Sequence, residues 1–408
     1  MDIRPILSAL LKNLTAPLLV ALQVAISLAI LANALYIVQS RLELARRPSG
    51  ILDEANVFSL ELRTVKDRNY TQRLAQQQQI KTRLRAIPGV LAVGTINQWP
   101  MARNGNISGI ALDRKQKEST ASVSNYTTAD SLLPTLGLRL AEGRDFTPDD
   151  ITTGDPAQQH PGPKTVLVTR ELAQHLYPGS ASVIGKPVLF GTGEDAEEAR
   201  IIGVLERFQS IGAEKGNTSN FSVVRPYDSG EQNFAVRTLP GQRDRIIKEA
   251  EATLRTLLNE PVIIETNTVD GFREKRYQND RTLAWMLISI SICLLLVTIS
   301  GIVGMSTVWV AQRRKQIGVR RALGARRIDI IRHFVTENLL ITGSGILAGA
   351  LLALALNQVL VSQLEMSKLP MAYLLGGSVL LLLLGMFSVL GPALRAASIS
   401  PALATRSV

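Results

Sequence analysis

Residues 312–335, QRRKQIGVRRALGARRIDIIRHFV, join two apolar segments of membrane length at 282–311 and 336–361. The joining stretch carries eight basic residues (Arg313, Arg314, Lys315, Arg320, Arg321, Arg326, Arg327 and Arg332) against one acid, Asp329. Lys and Arg beside the end of a span resist translocation, so a basic loop between two spans stays cytoplasmic. That assignment orients everything else in the chain.

Residues 16–38 are apolar for 23 residues, enough to cross a hydrocarbon core of about 30 Å. Gln23, Ser27 and Asn33 interrupt this run, and in lipid such groups turn toward protein, which predicts a helix packed in a bundle. A cleavable signal peptide is the rival reading, since Ala32-Asn33-Ala34 resembles a processing site, but the run exceeds the usual ~7–15 apolar residues. The segment 336–361 has Glu337 at its cytoplasmic end and Gly345-x-x-x-Gly349, a spacing that lets a second helix approach closely. A short loop, 362–369, leads to the last span, 370–390, and a tail, 391–408, that carries Arg395 and Arg406. Residues 1–15, with apolar side chains at helical spacing and Arg4 and Lys12 between them, read as an amphipathic helix on the inner membrane face, or as the plain flank of the first span. Four crossings place both termini with the basic loop and place 39–281 outside.

The net charge of +11 would ordinarily bring nucleic acid to mind. Its distribution excludes that class. Residues 41–280 hold 31 Lys and Arg against 30 Asp and Glu, so the excess lies in or beside the apolar spans, where it reports topology. The single cysteine, Cys293, sits in a span and allows no intrachain disulfide.

The polar segment reads as a large α+β domain of two sub-domains. Residues 40–55 and 269–281 are charged and helix-compatible, which predicts stalks continuing the first and second spans. Between them, 57–65 alternates like a strand, 70–86 has a helical period, and 90–95, 107–112 and 121–126 are strands. The order then repeats, with helices at 131–136 and 170–177 and strands at 165–168 and 201–205. Strands at 221–226 and 233–238, a helix at 244–258 and a strand at 262–266 follow. The Pro-, Gly- and Asp-rich stretch 145–164 reads as a mobile loop, Gln76–Gln79 as the solvated face of a helix, and 194–198 as a charged loop.

No catalytic constellation is present in the sequence. His160, His175 and His333 are isolated, so neither a zinc site nor a His-centred triad is indicated. No GxxxxGK[ST] loop occurs; the nearest string, GSASVIGKP at 179–187, has one residue too many between its glycines and a proline where Ser or Thr should hold magnesium, and reads as a turn before a strand. What remains informative is the basic loop. Gly318 and Gly324 can break or turn a helix there, and from Ala325 onward Ile328, Ile331 and Val335 share one face, which predicts a short amphipathic helix joined to a rising one. From spacing alone, a topological anchor with no further role explains the loop equally well.

The string RKQIGVRRALGA at 314–325 resembles the cytoplasmic loop of MacB-type ABC transporter permeases, the superfamily that includes FtsX, LolC and LolE. The family's usual pattern has Glu where this chain has Gln316, a departure that removes one charge and bears on any salt bridge there. YTTADSLLPTLGLRLAEGRDF at 126–146, the stretch 166–186 and GPALRAASISPA at 391–402 are similar to the family's outer-domain and fourth-helix signatures, so the resemblance spans nearly the whole chain.

The resemblance implies an α-helical membrane protein with four transmembrane helices and a large extracytoplasmic α+β domain of MacB type, in a bacterial inner membrane. It implies that Gln316, Ile317, Gly318, Arg320, Arg321, Ala322, Leu323, Gly324 and Ala325 couple to an ABC ATPase. Two ATPase copies, encoded elsewhere, would bind the ATP and magnesium, and a second permease chain, identical or paralogous, would pack alongside. A periplasmic adaptor and an outer-membrane duct would complete an exporter that works by mechanotransmission. A lipoprotein-releasing LolC/LolE-like permease and an FtsX-like regulator of an outside hydrolase share the topology and remain open at this point.

Overall fold

In the computed structural model, residues 15–64, 68–102, 104–155, 161–212, 216–364 and 368–398 are described. The predicted amphipathic helix at 1–15 and the end of the tail lie almost wholly outside these residues, as does His160. The chain forms two compact units, a helical one of Met1–Leu44 with Asn279–Val408 and a sheet unit of Ala45–Gln278.

In chain order, α1 (Thr15–Ala45) is followed by β1 (Val57–Thr64), α2 (Tyr70–Arg85), β2 (Val90–Thr95), β3 (Ile107–Ala111) and β4 (Ala121–Thr128). Then come α3 (Leu132–Leu136), β5 (Leu140–Gly143), β6 (Thr152–Thr153), β7 (Thr165–Thr169), α4 (Arg170–Leu176), β8 (Pro187–Phe190) and β9 (Glu197–Leu205). The sheet unit closes with β10 (Ser222–Asp228), β11 (Asn233–Thr238), α5 (Arg243–Leu258) and β12 (Val262–Thr268). Four helices remain: α6 (Val269–Gln312), α7 (Arg314–Ala322), α8 (Arg327–Leu364) and α9 (Met371–Ala397).

Helices α1, α6, α8 and α9 are each long and apolar enough to cross a membrane. The polar residues of α1 do turn toward protein. Ser27 Oγ and Thr298 Oγ1 share a hydrogen bond of 2.8 Å, and Asn33 Nδ2 donates to the Ala353 carbonyl oxygen at 3.1 Å. Val20, Val24 and Leu28 join Ile341, Leu381 and Val389 in one buried cluster. The last span does not stop at 390. Helix α9 runs through Gly391-Pro392 to Ala397, because Pro392, Ala393, Ala396 and Ala397 are buried, and that packing outweighs the ~3 kcal/mol cost of an internal proline.

The sheet unit holds two sheets, and they are nested rather than consecutive. The first has the order β12-β1-β11-β2 with every pairing antiparallel, and α2 and α5 follow β1 and β11. This β-α-β, β-α-β arrangement is the ferredoxin-like split βαβ. Phe58, Leu60 and Leu62 of β1 alternate into a core with Ile80 and Leu84 of α2 and Ile246, Ala250 and Leu254 of α5. Each of the Phe, Leu and Ile side chains among them, fully buried, contributes about 1.5–3 kcal/mol.

The second sheet is inserted between β2 and β11. Its order β4-β3-β8-β9-β7-β10 returns to β4 through a parallel β10–β4 pairing, so the strands close on themselves and leave no long edge. One buried cluster draws alternate residues from these strands: Ala121 and Val123, Val166 and Val168, Val188 and Phe190, Ala199 and Ile201. Strand pairing between distant segments is invisible to local periodicity, which is why the sequence reads as two successive repeats.

Two local expectations fail for a related reason. The stalk predicted over 40–55 ends at Ala45, where Pro48 biases Arg47 away from the helical region and Gly50 adopts φ +92°. Gln76 and Gln77 are buried rather than solvated. Gln77 Nε2 donates to Asp228 Oδ1 and to the Glu231 carbonyl oxygen, both at 3.1 Å, because the connection from β10 to β11 packs over α2. Similarly, Lys81 of α2, only 2 % exposed, meets Asp130 after β4 at 3.0 Å.

Candidate functional site

Helix α6 ends at Gln312, and Arg313 starts the turn into α7. The short helix of the basic loop thus lies before Gly324, at Arg314–Ala322, and not after Ala325. Gly318 sits inside this helix, buried, and does not break it. Gly324 does the terminating. At φ +94° it occupies a conformation open to glycine, its N–H donates to the Arg321 carbonyl oxygen at 3.1 Å, and the Ala325 N–H donates to Arg320 at 3.0 Å. These two bonds satisfy the last carbonyls of α7 as a complete Schellman motif. Helix α8 then starts at Arg327, inside the predicted loop, and continues unbroken into the third span. Asp329 fixes its start by accepting the Arg326 N–H at 3.0 Å, and a carboxylate there also suits the positive end of the helix.

The nine predicted coupling residues do not share one surface. Ile317 is buried with Ile330, Phe334, Ala393 and Ala396, and anchors α7 to the helical unit. Arg321 Nη1 donates to the Ala397 carbonyl oxygen at 3.0 Å, holding α7 to the end of α9. Gln316, Arg320, Ala322, Leu323 and Gly324 are exposed, and Ala325 is half-buried. Leu323 is 83 % exposed, the highest value among the exposed large apolar side chains. Val319 and Ile328 are exposed near it in sequence; Val319 lies within the motif but outside the residues assigned to coupling, and Ile328 was read only as part of an apolar helix face. Exposed apolar side chains thus alternate in sequence with exposed arginines, among them Arg320, Arg326 and Arg327, on and just after a fixed short helix.

Arg313 immediately precedes α7. Its Nη1 reaches Glu337 Oε2 at 2.9 Å, and its guanidinium lies 5.6 Å from the Trp309 ring centre. The predicted packing glycines face α1: a Cβ on Gly345 would stand 2.6 Å from the Ala21 carbonyl oxygen, and one on Gly349 2.8 Å from that of Ala25. Among the described residues, no group of three or more His, Cys, Asp or Glu could hold a metal.

Residues 18–254 match the family described as MacB-like periplasmic core domain, and residues 288–401 match FtsX-like permease C-terminal. The chain belongs to the MacB/FtsX-like family of ABC transporter permeases. A pyoverdine export ATP-binding/permease protein PvdT of Pseudomonas syringae is 32 % identical over 51 % of this MacB-like chain and 33 % of its own length. A macrolide export ATP-binding/permease protein MacB of Acinetobacter baylyi is 26 % identical over 70 % of the chain and 42 % of its own length. The chain therefore spans between 33 % and 42 % of the length of these two relatives. The crystal structure of the periplasmic region of MacB from Actinobacillus actinomycetemcomitans is similar over 57 % of this chain and 97 % of that one, with 15 % identity and a TM-score of 0.34.

Proposed function

We propose that this chain is the membrane subunit of an ABC exporter whose ATPase is a separate polypeptide docked on α7. The observation that carries the reading is Leu323, exposed at the tip of a helix whose end is fixed by the Gly324 cap and whose base is anchored by Ile317. An exposed apolar side chain on a rigid mount, in a stretch rich in exposed arginines, suits an aliphatic anchor that a pocket on a partner can bury. The excess of exposed arginines in this stretch selects acidic groups on the partner, and favours a fast encounter.

In this reading α7 lies on the cytoplasmic side of a bacterial inner membrane and the sheet unit lies in the periplasm. Two ATPase copies bind ATP with magnesium and close, two permease chains are pulled together, and the displacement passes up α1 and α6. Apolar spans with few polar groups supply no conduit, which supports mechanical transmission over passage through the bundle. The names of the matched exporters favour export, with a periplasmic adaptor and an outer-membrane duct completing the path.

Affinity purification in mild detergent, with mass spectrometry of co-eluting proteins, tests this for wild type and for Leu323→Asp with Gly324→Asp. A Walker-motif ATPase should elute with wild type and be reduced at least ~30-fold in the variant, as loss of a ~2 kcal/mol anchor requires. An ATPase retained by the variant, or absent from both, overturns the reading. A co-eluting lipoprotein or extracytoplasmic hydrolase would replace export by release or regulation.

A further inference from the structure

The two passages of the chain into the sheet unit meet at one side chain. Arg273, in the second turn of α6, donates from Nη1 to the carbonyl oxygens of Ala45 at 2.9 Å and Arg47 at 2.8 Å. Its Nε and Nη2 hold Glu54 Oε2 at 3.2 Å and Oε1 at 2.6 Å. Ala45 is the last residue of α1, where carbonyls have no intrahelical partner and a cation suits the negative end of the helix. Glu54 opens the turn that runs into β1. Strand β12 runs directly into α6, and β1 pairs with β12 from Phe58 opposite Thr268 to Thr64 opposite Val262.

One guanidinium thus ties the end of α1, the foot of β1 and the first turns of α6. The pair is largely shielded, with side-chain exposures of 15 % for Arg273 and 21 % for Glu54, so water competes weakly for it. The neighbours of Arg273 on α6 extend the attachment. Phe272 stacks on Trp99 with ring centres 5.6 Å apart, Arg276 donates to the Gly212 carbonyl oxygen at 3.3 Å, and Gln209 Nε2 donates to the Tyr277 hydroxyl at 3.2 Å. Trp99 follows β2 of the first sheet, and Gln209 and Gly212 follow β9 of the second. Both sheets are therefore attached to the same two turns.

We propose that Arg273 is the positioning residue that joins α1 and α6 into one lever where they enter the sheet unit, so that a displacement carried by either helix reaches both sheets together. The displacement itself rests on the transporter reading above; the joint does not. Arginine is required at this place. Its planar fork serves two carbonyls and a carboxylate at once, whereas a lysine ammonium is a point charge on a flexible stem.

Hydrogen–deuterium exchange of the full chain in nanodiscs, read by mass spectrometry, tests the joint without any partner. Arg273→Met should raise exchange at least tenfold in 46–56 and 270–278 and leave β7, β9 and β11 at the wild-type rate. Glu54→Gln should loosen the same two segments less, because the carbonyl contacts survive. Arg273→Glu combined with Glu54→Arg should fail to restore protection, since a carboxylate cannot donate to the Ala45 and Arg47 carbonyls. Unchanged exchange in Arg273→Met, an equal rise throughout the sheet unit, or full restoration by the exchanged charges would each overturn the proposal.

The lever is then tested in the complex with the co-purified ATPase, with ATP and vanadate compared against ADP. Wild type should show a nucleotide-dependent change of exchange in the closed sheet, and Arg273→Met should lose it while still hydrolysing ATP. A full response in Arg273→Met overturns the lever. No response in wild type overturns the transporter reading instead, and the nucleotide-free exchange still decides the joint.

Discussion

Arg313 Nη1 lies 2.9 Å from Glu337 Oε2, and the Glu337 side chain is 1 % exposed. The pair ties the end of α6 to α8 across the base of the basic loop, so α7 is mounted on two helices that cannot separate without uncovering a charge. Taking away one partner of a buried pair costs far more than the pair itself contributes, because the other charge is left without compensation.

Arg313→Met is accordingly expected to destabilise the helical unit by about 3 kcal/mol, while Arg313→Met with Glu337→Met recovers most of the loss. Thermal midpoints of the two variants in the same detergent decide this. Equal losses in the single and double variants would show that the pair is not what secures the loop.

Gly345 and Gly349 make a paired prediction with an internal control. A Cβ at 345 meets backbone of α1 at 2.6 Å, and backbone cannot step aside as a side chain tip can, so α8 must shift. Gly345→Ala should cost about 1–3 kcal/mol, the usual range for overpacking. At Gly343 a Cβ meets nothing within 4 Å, so Gly343→Ala should be neutral or raise the midpoint through helix propensity. Equal effects at the two positions would contradict the close contact.

Burial in the sheet unit holds the Glu231 carboxyl above its ordinary value of 4.5, against the opposing Ser229 hydrogen bond and the Arg73 charge. The folded state then binds this proton more tightly than the unfolded chain. The contribution of Glu231 is therefore most favourable below pH 4.5 and falls as pH rises through the elevated value. Glu231→Gln should raise the unfolding midpoint of the full chain at neutral pH and remove that part of the slope. A midpoint lowered at neutral pH and unchanged in acid would mean that ionised Glu231 stabilises the fold.

Much of the local structure was legible because it is written in nearest neighbours. The strand Val57–Thr64 alternates, and the helix Tyr70–Arg85 carries the period that predicts it. Loop residues 314–325 were identified by motif, but the motif could not say which of them face outward. Ile317 and Gly318 turned inward because α9 continues past Pro392 and covers that side of α7, while Val319 and Ile328 were left exposed. Gln77 read as a surface residue for the same reason. Its partners, Asp228 and Glu231, lie more than 150 residues away in sequence.

Four spans, a basic loop with one acid, and a neutral polar segment were determined by sequence alone, since hydrophobic length and charge asymmetry act residue by residue. Tertiary structure decided the rest. It nested the closed sheet inside the split βαβ, carried α9 through its proline, and brought Arg273 to the carbonyls of Ala45 and Arg47. Those outcomes depend on pairing and packing between segments distant in the chain, where the free energy of burial outweighs the local preferences that a sequence displays.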